Sequence, residues 1–369
     1  MEVRILIAPD KFKGSLGARD VAESIAAGLR DVLPDATIDL IPVADGGEGT
    51  AEVVAEALGA EWVITRAHDA LGRAVEARYA YLPNRKLAVM EMSEVAGMRR
   101  LQTGERDPLR ASTFGVGEML IAATERGAEE IIIGLGGSAT NDGGWGMARS
   151  LGFRFSGAEI RTVESLAGIG EQNLLEPPAR LKLARIIAAA DVRNPLLGEN
   201  GATRVFGPQK GVSVEQVATF ERALTKLADA VARDLHVDFR ETPGAGAAGG
   251  LGFGLMTFCG ATVRPGFDLV AEILDLQAAI QRADIVITGE GNLDRQTLEG
   301  KAPAGVARLA RQMGKRVFAI AGCATGDATV HEMFDGVLVL ATPPITREEA
   351  MTRGKELLRE RGRELGRTL

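Results

Sequence analysis

"IIIGLGGSATNDGGWGM", residues 131–147, passes from three isoleucines straight into glycines interleaved with Ser138, Thr140, Asn141 and Asp142. A short apolar, β-branched run that ends in such a loop fits a strand buried on both faces of a parallel sheet. The same grammar recurs in "VRILIAPD" ending at Asp10, "IDLIPVADGGEG" around Asp45, "RIIAAAD" ending at Asp191 and "ADIVITGEGNLD" ending at Asp294. Between these runs lie helical patterns. "SLGARDVAESIAAGLRDVL" sets Val21, Ile25 and Leu29 on one stripe, and "TAEVVAEALGA" closes at Gly59, where a left-handed residue would cap a helix. Strand and helix in alternation predict an α/β fold. One Asp after a strand reads as a turn or helix cap; five of them, beyond strand carboxyl ends, predict a ligand site where open α/β sheets bind.

The texture changes at residue 61. "EWVITRAHDALGRAVEARYAYLPNRKLAVMEMSEVAG" reads as three strands joined by turns, an antiparallel meander. Strand-loop-helix grammar returns at "ADIVITGEG", and the charged "ITREEAMTRGKELLRERGREL" predicts a final helix opened by Thr346 and Glu349 as a capping box. A chain of 369 residues is long for one domain, so about two are expected.

Composition narrows the function. A net charge of −7 argues against nucleic-acid binding, which draws its affinity from cations, and points to a small-molecule partner. No apolar run has the length of a membrane span, and "MEVRILIAPD" lacks the features of a secretory leader, so a cytoplasmic location is expected. Cys259 and Cys323 stand apart from each other and read as inert thiols; His68, His236 and His331 sit in separate contexts and read as non-catalytic.

The glycine motifs differ in the residues around them. Gly134 to Ala139 match the letters of a dinucleotide fingerprint, but Asn141, Asp142, Gly143, Gly144 and Gly146 stand where a helix should open. Gly244 to Gly249 match as well, yet come after "FRETP" rather than a strand. Glycine-rich turns instead make anion nests from consecutive N–H groups, and Gly136, Gly137, Ser138, Asn141 and Asp142 are the candidates for one. "APDKFKGSL" sets Lys11, Lys13 and Ser15 between a strand end and a helix, where cations serve an anionic substrate or a transferring phosphoryl group. Asp45 with Glu48 suggests Mg²⁺ or a general base. "AADVRNPLLGENGATRVFGPQKG" gathers Asp191, Asn194 and Lys210, and "ITGEGNLDRQTLEGKAPAGVA" gathers Glu290, Asp294, Gln296, Thr297 and Lys301. Lysines, acids and amides with little histidine suit phosphoryl transfer, which rests on positioning and charge neutralisation.

In this order "APDKFKGSL", "PVADGGEGT", "GLGGSATNDGGWGM", "NPLLGENGATRVFGPQKG", "GAGAAGGLG" and "ITGEGNLDRQTLEGKAPAGVA" resemble the glycerate kinase type-1 family over essentially the whole chain. The resemblance implies ATP-dependent phosphorylation of D-glycerate, usually to 2-phosphoglycerate, with Mg²⁺. It implies a Rossmann-like domain built from both chain ends, residues 1–65 and 266–369, and an inserted α/β domain, residues 66–265, with the active site in the cleft between them. Carried onto matching positions, it implies a site made of Asp10, Lys13, Asp45, Ser138, Asn141, Asp142, Asp191, Asn194, Asp294 and Lys301. Combined with the reading of the residues, Lys13, Asp45 and Asp191 are expected to be catalytic. Asp10, Lys11, Ser15, Gly136, Gly137, Ser138, Asn141, Asp142, Asn194 and Lys301 are expected to bind substrate or phosphate, and Asp294 and Glu290 to bind metal. A kinase for another small hydroxy acid, or a non-catalytic binder of small acids or nucleotides, remains the alternative, and an oligomer is compatible with the sequence.

Overall fold

The computed structural model describes residues 3–295, 297, 301–325 and 327–369, apart from the side chain of Thr103; Gln296 lies outside the described residues. In chain order the strands are β1 (Arg4–Ile7) and β2 (Thr37–Leu40); then β3 (Glu61–His68), β4 (Ala74–Leu82), β5 (Leu87–Glu91), β6 (Glu130–Gly134), β7 (Arg154–Phe155), β8 (Leu175–Glu176), β9 (Arg185–Ala189) and β10 (Thr262–Arg264); then β11 (Ile285–Leu293), β12 (Arg316–Ala324) and β13 (Gly336–Val339). The chain divides into two compact units, one of residues 1–45, 52–58 and 265–369, the other of residues 46–51 and 59–264.

The first unit is a parallel sheet in the order β13-β12-β11-β1-β2. β1 is the hinge of the order: it pairs with β2 on one side, Ile5 opposite Ile38, and with β11 on the other, Ile5 opposite Ile285. Side chains alternate across a strand, so each face of β1 feeds its own core. Ile5 and Ile7 pack with Val21, Ile25 and Leu29 of the helix Ala18–Arg30 and with Leu357, Leu358 and Leu365 of the helix Gly354–Gly366. Leu6 and Ala8 pack on the opposite side with Phe267, Val270, Val306 and Ala310. Helices cover both faces, which is why these strands read as continuous apolar runs. The Val21, Ile25 and Leu29 stripe is wholly buried, and each such side chain contributes roughly 1.5–3 kcal/mol of burial. The charged C-terminal stretch forms two helices rather than one, Arg347–Thr352 and Gly354–Gly366, with a break at Arg353; Thr346 Oγ1 accepts from the Glu349 N–H as expected of the cap.

The second unit carries a sheet in the order β10-β9-β6-β5-β4-β3. β3 with β4 and β4 with β5 are antiparallel, as the meander reading expects, whereas β5, β6, β9 and β10 run parallel. Its core draws on the helices Phe114–Glu125, Trp145–Ser150, Ala202–Lys210, Val214–Asp234 and Ala247–Cys259. Trp145 anchors it, 4.8 Å between ring centroids from Phe155, with its indole N–H donated to the Ile160 carbonyl. Among the described residues no helix is long and apolar enough to cross a membrane.

Candidate active site

In the first unit the order of strands reverses between β1 and β11, the place where open α/β sheets leave a crevice for ligands. Asp10 lies there, just past the end of β1, 7% exposed, with its N–H donated to the Gly289 carbonyl of β11. Its Oδ1 accepts the Lys11 N–H at 2.6 Å. Burial, then the negative charges of Asp45 and Glu290, push the Asp10 carboxyl up to about 8; Lys11 opposes them only in part. Four sequence candidates are therefore electrostatically one group. Lys13 is exposed on the same loop, and a side chain at Gly291 of β11 would begin 3.3 Å from the Lys13 nitrogen. Ser15 is differently employed: its hydroxyl donates to the Met351 carbonyl at 2.9 Å, tying the loop to the helix Arg347–Thr352.

Glu290 and Asp294 form a second group around Lys301. Glu290 Oε1 accepts from the Thr297 hydroxyl at 2.7 Å and its Oε2 lies 3.3 Å from Lys301 Nζ. Asp294 Oδ1 is 3.8 Å from the same ammonium, and its Oδ2 accepts from the Asn292 amide. Burial raises the Glu290 carboxyl against the pull of Thr297 and Lys301. The two acids expected to bind metal already share a cation, and among the described residues no three His, Cys, Asp or Glu side chains are gathered as a metal-binding group.

In the second unit the loop after β6 is held from several sides. The Met98 N–H donates to the Gly137 carbonyl and the Ala139 N–H to that of Ala96, so the loop pairs briefly with the segment after β5. Gly137 takes φ +72°, and the N–H groups of Gly136, Gly137 and Ser138 have no protein acceptor among the described residues. These are the features of an anion nest. The "DGGEG" loop lies against it: a Cβ on Gly136 would stand 2.8 Å from the Gly47 Cα, which is why glycine is needed there.

Asp142 is engaged by the protein itself. It accepts from the Thr113 N–H and hydroxyl and from the Gly144 and Gly146 N–H groups, closing the start of the helix Trp145–Ser150. Burial nonetheless holds its carboxyl above the ordinary value. Asn141 is fully buried and donates its amide to Thr203 Oγ1 at 2.8 Å. Asp191 comes after β9, half-buried, and Asn194 donates its amide to the Asn200 carbonyl, bracing the loop that carries them. The Gly244 to Gly250 run is a packing device: a Cβ on Gly249 would stand 2.0 Å from the Thr140 carbonyl oxygen.

Three further residues belong with this loop and were not read from the sequence. Glu91, at the end of β5 and 5% exposed, accepts the Gly49 N–H at 2.8 Å and the Ala51 N–H at 3.1 Å, and so fixes the loop beyond Asp45. Arg99 Nη1 stands 3.6 Å from Glu91 and 3.5 Å from Glu48, and buried Ser93 sits beside Glu91 Oε2. The signal was a pair of acids, Glu91 and Glu94, directly after the apolar run "LAVM".

The family model of the glycerate kinase family matches residues 5–369. The chain belongs to that family. It is 41% identical to the glycerate 2-kinase of Escherichia coli K12 across 100% of this chain and 98% of that one. It is 40% identical to the glycerate kinase of Halalkalibacterium halodurans, covering 98% and 97%. A crystal structure from Salmonella typhimurium LT2 that carries a glycerate kinase 2 assignment superposes with a TM-score of 0.88 at 40% identity, covering 100% of this chain and 98% of that chain. As a member of the glycerate kinase family the chain is a phosphotransferase whose acceptor is an alcohol group.

Proposed function

We propose that the chain transfers the γ-phosphoryl group of ATP to D-glycerate, forming 2-phosphoglycerate and ADP, with Mg²⁺. The observation that carries this reading is the 41% identity to a glycerate 2-kinase over the full length of the chain. The site supports it in kind. Mg²⁺ takes hard oxygen donors, and Asp10 and Asp45 are the fitting pair, because Asp10 is buried beside like charge that the fold leaves under-compensated. Glu290 and Asp294 fit less well, since Lys301, Thr297 and Asn292 already hold their oxygens. When bound, Mg²⁺ neutralises charge on the phosphates.

The chain's own groups do the rest. In the second unit the N–H groups of Gly136, Gly137 and Ser138 are the donors for anionic oxygens, and in the first unit Lys11, Lys13 and Lys301 supply positive charge. The glycerate hydroxyl oxygen bonds to the γ-phosphorus as the bond to the bridging oxygen of ADP breaks; with Asp10 and Asp45 given to the metal, Asp191 is the catalytic candidate left to take the hydroxyl proton and pass it to water. A loose transition state asks little of that base, so positioning supplies most of the rate.

Release of ADP by the purified chain across D-glycerate, L-glycerate, glycolate and tartronate tests the reading. The highest kcat/KM is expected for D-glycerate. A higher value for another acid would make the chain a kinase of that acid, and ADP release by folded protein that no acid stimulates would overturn the reading.

A further inference from the structure

The helix Ala202–Lys210 touches the loop after β6 at both of its ends. Thr203 receives the Asn141 amide, and Lys210, 2% exposed, donates from Nζ to the Thr140 carbonyl at 2.7 Å. A Cβ on Gly249 would stand 2.0 Å from the same carbonyl oxygen, so Lys210 and Gly249 both pack against the backbone of the loop. Two more buried atoms there, Thr140 Oγ1 and Asn141 Oδ1, have no hydrogen-bond partner among the described residues.

A buried ammonium is normally paired with a carboxylate. Among the described residues none lies within ion-pair distance of Lys210. Of the charged groups on the surrounding elements, Asp142 is spent on Thr113, Gly144 and Gly146; Glu221 of the helix Val214–Asp234 accepts the Gly198 N–H through Oε2, while its buried Oε1 has no partner among the described residues; Arg106 donates to the Gln209 carbonyl; Arg204 on its own helix pairs with Glu199. The helix Ala247–Cys259 carries no charged side chain.

We propose that Lys210 is the buried counter-charge of the anion held by the Gly136–Asp142 loop, so that anion binding and protonation of Lys210 are coupled. This rests on the loop being the anion site. Burial pushes the free Lys210 ammonium down to about 7, and Asp142 offsets that only in part. A bound anion favours the charged form, so the protein takes up a proton on binding, and anion affinity falls as pH rises through neutrality.

Sodium sulfate, whose charge is constant across this range, is the probe, read by thermal-shift titration at constant ionic strength at about pH 6 and about pH 8.5. For the unaltered protein the sulfate affinity should fall on the order of tenfold over that interval, as one coupled group of this kind allows. Lys210→Met, an apolar replacement of similar length, should bind as weakly as the unaltered protein does at high pH and show no pH dependence. Ser138→Ala, at the mouth of the loop, should bind more weakly at both pH values and keep the dependence. A flat affinity in the unaltered protein, or an equal slope in Lys210→Met, would overturn the role of Lys210; the slope then belongs to another group such as Asp10. Sulfate binding that neither variant alters would instead overturn the loop as the anion site. Should Lys210→Met fail to fold, Lys210→Arg, whose guanidinium stays charged over the whole range, takes its place: it should bind sulfate without the pH dependence, and a slope equal to that of the unaltered protein would overturn the role of Lys210.

Discussion

At Asp10 the surroundings favour the proton: the side chain is buried, two acids act on it, and one lysine opposes them. Its value of about 8 in the folded chain lies above the ordinary carboxyl value of about 4. The folded state therefore binds more protons between those limits. The contribution of Asp10 to stability is complete below about pH 4 and is lost as pH rises through about 8. Asp10→Asn should accordingly melt at least about 2 °C higher than the unaltered chain at pH 8.5, with the difference closing toward pH 5, while its ADP release falls at least about 100-fold. Calorimetry at the two pH values checks the first half. Added Mg²⁺ should raise the melting temperature of the unaltered chain at pH 8.5 and leave Asp10→Asn unmoved; an equal rise in both would remove Asp10 from the metal. Burial raises the Asp142 carboxyl as well, but its partners set the outcome of a substitution there. Its carboxylate satisfies Thr113, Gly144 and Gly146, so Asp142→Asn should lose roughly 2–4 kcal/mol in urea unfolding. The sequence placed both aspartates in one class, because the letters after a strand do not tell which backbone groups will surround them. Thr113, which decides the role of Asp142, is 29 residues away.

At the scale of elements, the strands were legible because burial on both faces demands apolar, β-branched runs, and "RILI", "EIIIG" and "RIIAA" are such runs. The glycines were legible as a loop but not as two kinds of loop. Gly136 and Gly137 present N–H groups, whereas Gly143 and Gly144 admit the backbones of Gly250 and Gly254, a contact between segments about a hundred residues apart that no local pattern announces. Gly249→Ala would combine a positive φ of 70° with a Cβ driven onto the Thr140 carbonyl, and should cost roughly 2 kcal/mol or more in stability and weaken anion binding with it. Glu91 was hidden because it closes a strand that reads as one leg of a meander. Glu91→Gln keeps the shape and one acceptor but loses the charge on Gly49, Ala51 and Arg99, and kcat should fall about tenfold with a change in melting temperature of only a few degrees. Steady-state kinetics beside a melting curve separates the two; a loss of stability without a loss of kcat would make Glu91 a prop of the fold alone.

For the whole molecule, the alternation of strand and helix at both ends of the chain and the antiparallel strands at residues 61–91 give the same α/β reading that the sheets display. The chemistry is less evenly legible. Membership of a phosphotransferase family is written in motifs spread over the full chain, but the pairing of Lys301 with Glu290 and Asp294 emerges only from the fold, and it is the reason Asp10 and Asp45 are the pair proposed for the metal. Everything proposed for the site turns on the transfer of a phosphoryl group to the C2 hydroxyl of D-glycerate. Phosphorus NMR of one sample containing the purified chain, ATP, Mg²⁺ and D-glycerate decides whether that transfer occurs. A new phosphate monoester signal split into a doublet by the single C2 proton is the expected result. A triplet, from an ester on the CH₂ group, would contradict the position of transfer, and a spectrum with no new ester, or with inorganic phosphate alone, would contradict the function.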